Sequence, residues 1–338
     1  MRPRPAFARA GDAQRFCRRW RIASRHVSTP VAARSLKDKV AVVTGATRGC
    51  GRALAIELGR LGATVYATGR TTRASASPMR RTETIEETAE LIDAAGGHGV
   101  AVRCDFTKPS DVDMLRARIE AEAGGRLDIL IDDVWGGDPF VDFSREYWES
   151  DLDDALYVVH NALDTHLIAL HRLLPLVVRR PGGLVIEVTD GDNDEYVGTG
   201  IPYYLAKCGV RTIGRALGVE LAEHGCTGLT VTPGFLRSEA MLDHFGVTEE
   251  TWRDAVGATA PVEFAVSETP AYLGRAVAAL ATDPDVARFA GRTLASWTLM
   301  HEYGFSDVDG TRPDFGRWLT EVHNTDRDPA TVDPGDYR

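Results

Sequence analysis

Beyond residue 36 the chain alternates between short apolar runs and longer segments whose apolar residues recur at helical spacing. The first run, Val40-Ala41-Val42-Val43, contains no polar residue, which is the pattern of a strand covered on both faces. A glycine-rich turn follows it at once, then a helical stretch over Arg52–Leu61. Further strands are predicted at 63–68, 100–103, 128–131, 184–188 and 229–232, with a short last one near Thr293–Ala295. Between them the spacing predicts helices at Thr84–Ala95, Asp111–Ala123, about 148–179, about 202–223 and 271–281. The longest carries Leu152, Leu156, Val159, Leu163, Leu167 and Leu170 at helical intervals. Strands alternating with helices in this way specify βαβ units, so the expected class is α/β with a doubly wound, mostly parallel sheet. No repeat or linker interrupts the rhythm, and a single domain over 37–311 is expected. Residues 234–270 read as irregular with short helices. The segment 312–338 mixes prolines and glycines with charges and reads as a loosely ordered tail.

Composition narrows the class without changing it. Of 338 residues, 43% are hydrophobic and 26% charged, enough apolar residues for a substantial core. A net charge of −10 argues against nucleic acid or an anionic membrane as partner. No apolar run reaches the roughly 18 residues that a membrane-crossing helix needs. The charge is uneven. Residues 1–36 hold nine arginines and one acid, a balance of +8, while the remainder carries −18. Such a leader suits a disordered basic tail, and it also suits a targeting peptide that would send the protein to an organelle. The tail reading leaves the protein cytoplasmic. Five scattered cysteines form neither a disulfide framework nor a zinc pattern, consistent with a reducing compartment. His160, His166 and His171 share the long helix, but no pair of them has i, i+4 spacing, so they read as packing or surface residues.

Candidate chemistry begins at Thr44-Gly45-Ala46-Thr47-Arg48-Gly49-Cys50-Gly51, placed between the first strand and the first helix. Glycines let backbone approach a pyrophosphate, and the helix N-terminus that follows favours anions. Thr47 and Arg48 join Gly45, Gly49 and Gly51 as cofactor candidates. The second strand ends at Arg70, where an acid would suit the ribose hydroxyl of NAD and an arginine suits the 2′-phosphate of NADP. Arg73 adds charge nearby. The expected cofactor is NADP(H). Asp105 ends the third strand with Phe106 beside it, where its carboxylate either meets adenine or caps the next turn.

In Pro202-Tyr203-Tyr204-Leu205-Ala206-Lys207, Tyr203 and Lys207 stand one helical turn apart on one face, which lets an ammonium approach a phenol. With the glycine turn, Tyr203-x-x-x-Lys207 and Pro233-Gly234 in this order, residues 36–305 resemble the short-chain dehydrogenase/reductase family. The resemblance implies a Rossmann-type, doubly wound, seven-stranded sheet binding NAD(P)(H). It implies homodimers or homotetramers packed through the two long helices. It also implies that Tyr203 exchanges a proton with a carbonyl or alcohol substrate while Lys207 binds ribose and lowers the tyrosine pKa. The stretch Pro233, Gly234, Phe235 and Leu236 would touch the nicotinamide, and residues around 235–270 would form a substrate lid; Phe235, Trp252 and Phe264 there suit an apolar lining and equally the interior of a packed loop.

Three positions depart from the family pattern. Asp132-Asp133-Val134-Trp135 stands where the family has Asn-Asn-Ala-Gly. Asp190, preceded by Thr189, stands at the family's catalytic serine. The helix asparagine falls on Ala162, with Asn161 one residue away. Asp190 is nevertheless a candidate catalytic residue. A carboxylate repels the alkoxide formed on carbonyl reduction, so Asp190 helps as a donor only when protonated, which neighbouring Asp132 or Asp133 would favour. Otherwise Thr189 reaches in, or the substrate carries a cationic or polar group that pairs with Asp190. The expected function is an NADP(H)-dependent oxidoreductase, with a non-catalytic NADP-binding sensor or scaffold as the alternative.

Overall fold

The computed structural model describes residues 35–77, 79, 81–193 and 200–338. The basic leader therefore lies outside the described residues, apart from Ser35 and Leu36, and so do residues 194–199. Seven strands form one parallel sheet in the order β3-β2-β1-β4-β5-β6-β7. They are β1 (Val40–Val43), β2 (Thr64–Gly69), β3 (His98–Arg103), β4 (Ile129–Asp132), β5 (Leu184–Val188), β6 (Thr227–Thr232) and β7 (Thr293–Ala295). The helices are α1 (Gly49–Arg60), α2 (Ile85–Ala95), α3 (Pro109–Ala123), α4 (Leu152–Val177), α5 (Ile201–Glu220), α6 (Glu239–Phe245), α7 (Pro270–Ala281), α8 (Ser296–Tyr303) and α9 (Phe315–Trp318).

Each central strand is buried on both sides because its alternate residues enter two separate cores. Ala41 and Val43 of β1 join Leu54, Leu58, Leu273 and Val277 beneath α1 and α7. Val40 and Val42 face the other way, into Leu115, Ile119, Leu170 and Leu173 of α3 and α4. An unbroken apolar run thus serves two helical layers at once. Helix starts follow local chemistry. Thr84 caps α2 by accepting from the Glu87 N–H, and Asp151 caps α4 by accepting from the N–H groups of Asp153 and Asp154. The Asp151 cap starts the long helix at Leu152 rather than near 148.

The C-terminal expectation needs correction. Residues 312–338 fold onto the domain as α9 and further helical turns. Trp318, Val322, Val332 and Tyr337 are buried with Val266 in a small core of their own. The Tyr272 hydroxyl donates to the Pro313 carbonyl at 3.1 Å, and the Asp314 N–H donates to the Tyr337 carbonyl at 2.9 Å. Polar composition concealed four aromatic and aliphatic anchors, Trp318, Val322, Val332 and Tyr337, which pack against the rest of the domain.

Candidate active site

β1 and β4 are neighbours whose following connections run toward opposite edges of the sheet, which opens a crevice at the carboxyl ends of the strands. A cavity of about 950 Å³ lies there, near the top of the usual range for small-molecule sites of roughly 300–1,000 Å³. The glycine turn forms its floor. Gly45 adopts φ +66°, and a Cβ at this position would lie 2.5 Å from the Asp133 carbonyl oxygen. A Cβ at Gly51 would lie 2.4 Å from the Gly45 carbonyl. Gly49, at φ +57°, meets nothing and faces open space.

The N-terminus of α1 has no cap from the side chain of Arg48, its flanking residue. Instead Glu239, at the start of α6, accepts from the Gly49 N–H at 3.0 Å. A carboxylate oxygen therefore stands at this helix start in the place a phosphate oxygen would take. The turn fits a dinucleotide phosphate, with the Glu239 carboxylate as its stand-in. Thr47, Arg48, Arg70, Asp105 and Phe106 all line the same cavity. Arg73 does not, because its guanidinium pairs with Glu90 on the surface at 2.7 Å. Asp105 accepts from the Thr107 hydroxyl at 2.7 Å, so turn capping occupies one of its oxygens while the residue still borders the cavity. Burial pushes its pKa up, but Thr107 and the Arg70 charge outweigh this and hold the carboxyl below its ordinary range.

Pro202 lies in the first turn of α5, and Tyr203 and Lys207 follow on the face that lines the cavity. The Tyr203 hydroxyl donates to Asp190 Oδ2 at 2.6 Å. Tyr203 is framed edge-on by Trp135, Phe143 and Tyr204, with ring centroids 5.7, 5.2 and 5.4 Å away. The Lys207 ammonium lies 3.9 Å from the centre of the Trp135 ring and 5.4 Å from that of Tyr203. Burial lowers the Lys207 pKa, opposed by the charges of Asp190, Asp133 and Asp138. Burial likewise raises Asp133 to about 7, although Lys207 and His166 pull it down. Thr189 borders the cavity, but its proton is used elsewhere. Its hydroxyl donates to the Lys207 carbonyl at 2.9 Å and tethers α5 to β5.

Behind this wall lies a charged cluster that the sequence did not reveal. The imidazole Nδ1 of His166 meets Glu187 Oε2 at 2.5 Å and Asp132 Oδ2 at 3.8 Å, and Nε2 meets the Val134 carbonyl at 3.2 Å. All three side chains are buried. The Thr44 hydroxyl donates to Asp132 at 2.7 Å, so the family's first Asn position ties β4 to the glycine turn. Burial opposes a charge on His166, but the two carboxylates outweigh it and raise its pKa to about 9. Burial raises Glu187 to about 7. His166 is thus an ion-paired residue and no mere packing histidine. The readable signal was Glu187 itself, a lone acid in the apolar strand Leu184-Val185-Ile186-Glu187-Val188, which burial obliges to find a partner.

Opposite, Pro233, Gly234, Phe235 and Leu236 border the cavity at the end of β6. Trp252 and Phe264 do not line it. They form the interior of the segment after β6 with Phe245, and buried Arg237 stacks on Trp252 at 4.3 Å. The wall is completed by Phe315, Leu319 and His323, from the C-terminal segment expected to be loose. Asn161 and Ala162 both reach the cavity edge.

Comparison with known proteins agrees with this geometry. Residues 39–245 match the family model described as short chain dehydrogenase. The chain is 31% identical over 280 residues to "Dehydrogenase/reductase SDR family member 1" of Mus musculus, covering 81% of this chain and 85% of that protein. It is 27% identical over 217 residues to "7alpha-hydroxysteroid dehydrogenase" of Paraclostridium sordellii, covering 62% and 73%. A short chain dehydrogenase structure from Mycobacterium thermoresistibile superposes with a TM-score of 0.69 at 20% identity, covering 83% of this chain and 93% of that one. The chain belongs to the short-chain dehydrogenase/reductase family, oxidoreductases that bind nicotinamide cofactors. Among the described residues, no helix is long and apolar enough to cross a membrane.

Proposed function

We propose that the protein is an NADP(H)-dependent oxidoreductase interconverting a carbonyl compound and an alcohol, with Tyr203 as general acid and base. The observation that carries this reading is the convergence of the Tyr203 hydroxyl, the Lys207 ammonium and the glycine turn on one cavity. The residues toward the phosphates are Gly45, Thr47, Gly49 and Gly51, with Arg48 and Arg70 supplying charge for a 2′-phosphate. Asp105 and Phe106 would flank adenine, and Pro233, Gly234 and Leu236 would flank the nicotinamide. Bound there, a dihydronicotinamide supplies hydride to the substrate carbon. Tyr203 then delivers its proton to the oxygen, and Lys207 holds ribose while its charge offsets that of Asp190 and Asp133.

Leu152, Leu156, Leu167, Leu205 and Val219 on α4 and α5 are exposed in the single chain. They support assembly into a homodimer or homotetramer through these two helices. Asp190 in place of the family serine is what favours a second reading, an NADP-binding sensor without turnover. Incubating the protein with NADPH and a panel of carbonyl compounds separates the two. Cofactor oxidation supports the enzyme, and binding without oxidation supports the sensor.

A further inference from the structure

The substrate end of the cavity is built for a cation. Asp190, Asp138 and Asp192 line the cavity, where Lys207 is the one lysine among the described residues and the guanidinium residues are Arg48 and Arg70; Asp133 belongs to the glycine turn through the Gly51 N–H. Asp138 accepts from the Trp135 indole N–H, and Asp190 accepts from Tyr203. The rings of Trp135, Phe143, Tyr203 and Tyr204 stand among these acids at centroid separations of 5.2–5.7 Å from Tyr203. Carboxylates among aromatic rings form an environment that favours an organic ammonium over a neutral polar group.

The same arrangement is poorly matched to a neutral ketone. When hydride adds to C=O, the π pair becomes an alkoxide, and that charge grows beside the Asp190 carboxylate. The only hydroxyl adjoining Asp190 in sequence, Thr189, is committed to the Lys207 carbonyl. A carbon doubly bonded to a positively charged nitrogen reverses the problem. Hydride adds to carbon, the C=N π pair becomes the nitrogen lone pair, and the positive charge passes to the oxidised nicotinamide. Charge and electrons balance with no proton supplied by the protein and no oxyanion formed.

Resting on the hydride-transfer reading, the geometry points to an iminium reductase activity in this cavity, with Asp190 as the residue that selects the cationic substrate over its neutral carbonyl counterpart. Positive charge still resides on the substrate as hydride begins to transfer, so Asp190 holds ground state and transition state alike. Its contribution therefore falls on KM rather than kcat. Tyr203 has no proton to give in this reaction and serves only to hold Asp190 in place.

The test uses the full chain with NADPH and two bicyclic probes of similar size, N-methyldihydroisoquinolinium and tetralone. Wild type is expected to reduce the iminium with kcat/KM at least about tenfold above the ketone. Asp190→Asn raises KM for the iminium about tenfold or more, with kcat changed little, so that kcat/KM for the iminium falls relative to that for the ketone. Tyr203→Phe abolishes ketone reduction and spares iminium reduction within a few-fold. Calorimetry supplies a readout independent of turnover: protonated N-methyltetrahydroisoquinoline binds wild type about tenfold more tightly than Asp190→Asn. Equal amine affinity in the two proteins overturns the inference, as does a parallel fall of both activities in both variants. Ketone reduction without iminium reduction removes this inference and leaves the oxidoreductase reading standing. If NADPH neither binds nor is consumed with either probe, both readings fall.

Discussion

The phenol of Tyr203 donates its hydrogen bond to Asp190 at 2.6 Å, so the proton proposed for catalysis is held by a carboxylate where the family pattern has a serine. Carbonyl reduction at this site needs the Tyr203 hydroxyl to turn its hydrogen bond from Asp190 to the substrate oxygen and pass its proton there. Replacing Tyr203 by Phe removes it without emptying the cofactor cradle, which is built by the glycine turn and the strand ends. Steady-state assays with a ketone are expected to show a fall in kcat of roughly 10²–10⁴, the usual worth of a positioned acid. NADPH titration is expected to give a Kd within about twofold of wild type. Equal losses in both would remove Tyr203 from the chemistry.

The proposed preference for NADP(H) rests on Arg70. It directly follows β2, lines the cavity and lies close enough to act on Asp105 electrostatically. Arg70→Ala is expected to weaken NADPH binding by about tenfold or more and to change NADH binding little, because only the former carries the 2′-phosphate. Matched titrations of the two cofactors check this. An equal loss for both would reassign Arg70 to the fold.

Glu239 occupies the anion position on the Gly49 N–H, and a bound phosphate must displace it. Glu239→Gln should therefore move two quantities in opposite directions. Cofactor affinity rises about threefold or more, because a like charge leaves the phosphate site. Stability without cofactor falls by about 0.3–1 kcal/mol, because α1 loses an acid near its N-terminus. Titration and thermal unfolding measure the pair, and a weakened cofactor would contradict the placement.

The His166 cluster sets a pH dependence. Its folded pKa of about 9 lies above the unfolded value of about 6.5, so folding takes up a proton between them. The stability this supplies is fully present below the unfolded pKa and is lost as pH rises through about 9. Replacing His166 by Gln leaves Asp132 and Glu187 buried without their cation, at a cost of roughly 3–5 kcal/mol at neutral pH. Denaturant unfolding should show the gap between wild type and variant narrowing as pH rises through about 9. A gap that is constant with pH would mean that His166 is neutral in the folded protein.

The strands were legible in sequence because two-sided burial writes an apolar run that needs no partner to be recognised. The glycine turn and the Tyr203–Lys207 spacing were legible because each is local, within one turn of chain. What escaped was assembled across the fold. Glu239 meets Gly49 from 190 residues away, and His166 meets Glu187 across the gap between α4 and β5. Phe315 and Leu319 reach the cavity because Trp318 anchors their segment in a small core with Val266. Trp252 and Phe264, aromatics that suit a pocket lining or a packed interior alike, proved to be the interior of the segment after β6.

The central claim is that this cavity passes hydride between a nicotinamide and a substrate carbon. NADPH carrying deuterium at the transferable ring position tests it directly, with the product analysed by mass spectrometry. The account predicts one deuterium bonded to the former C=O or C=N carbon, transferred with a single facial preference on the nicotinamide ring. Cofactor bound with no deuterium in any product, or deuterium lost to solvent, would contradict it.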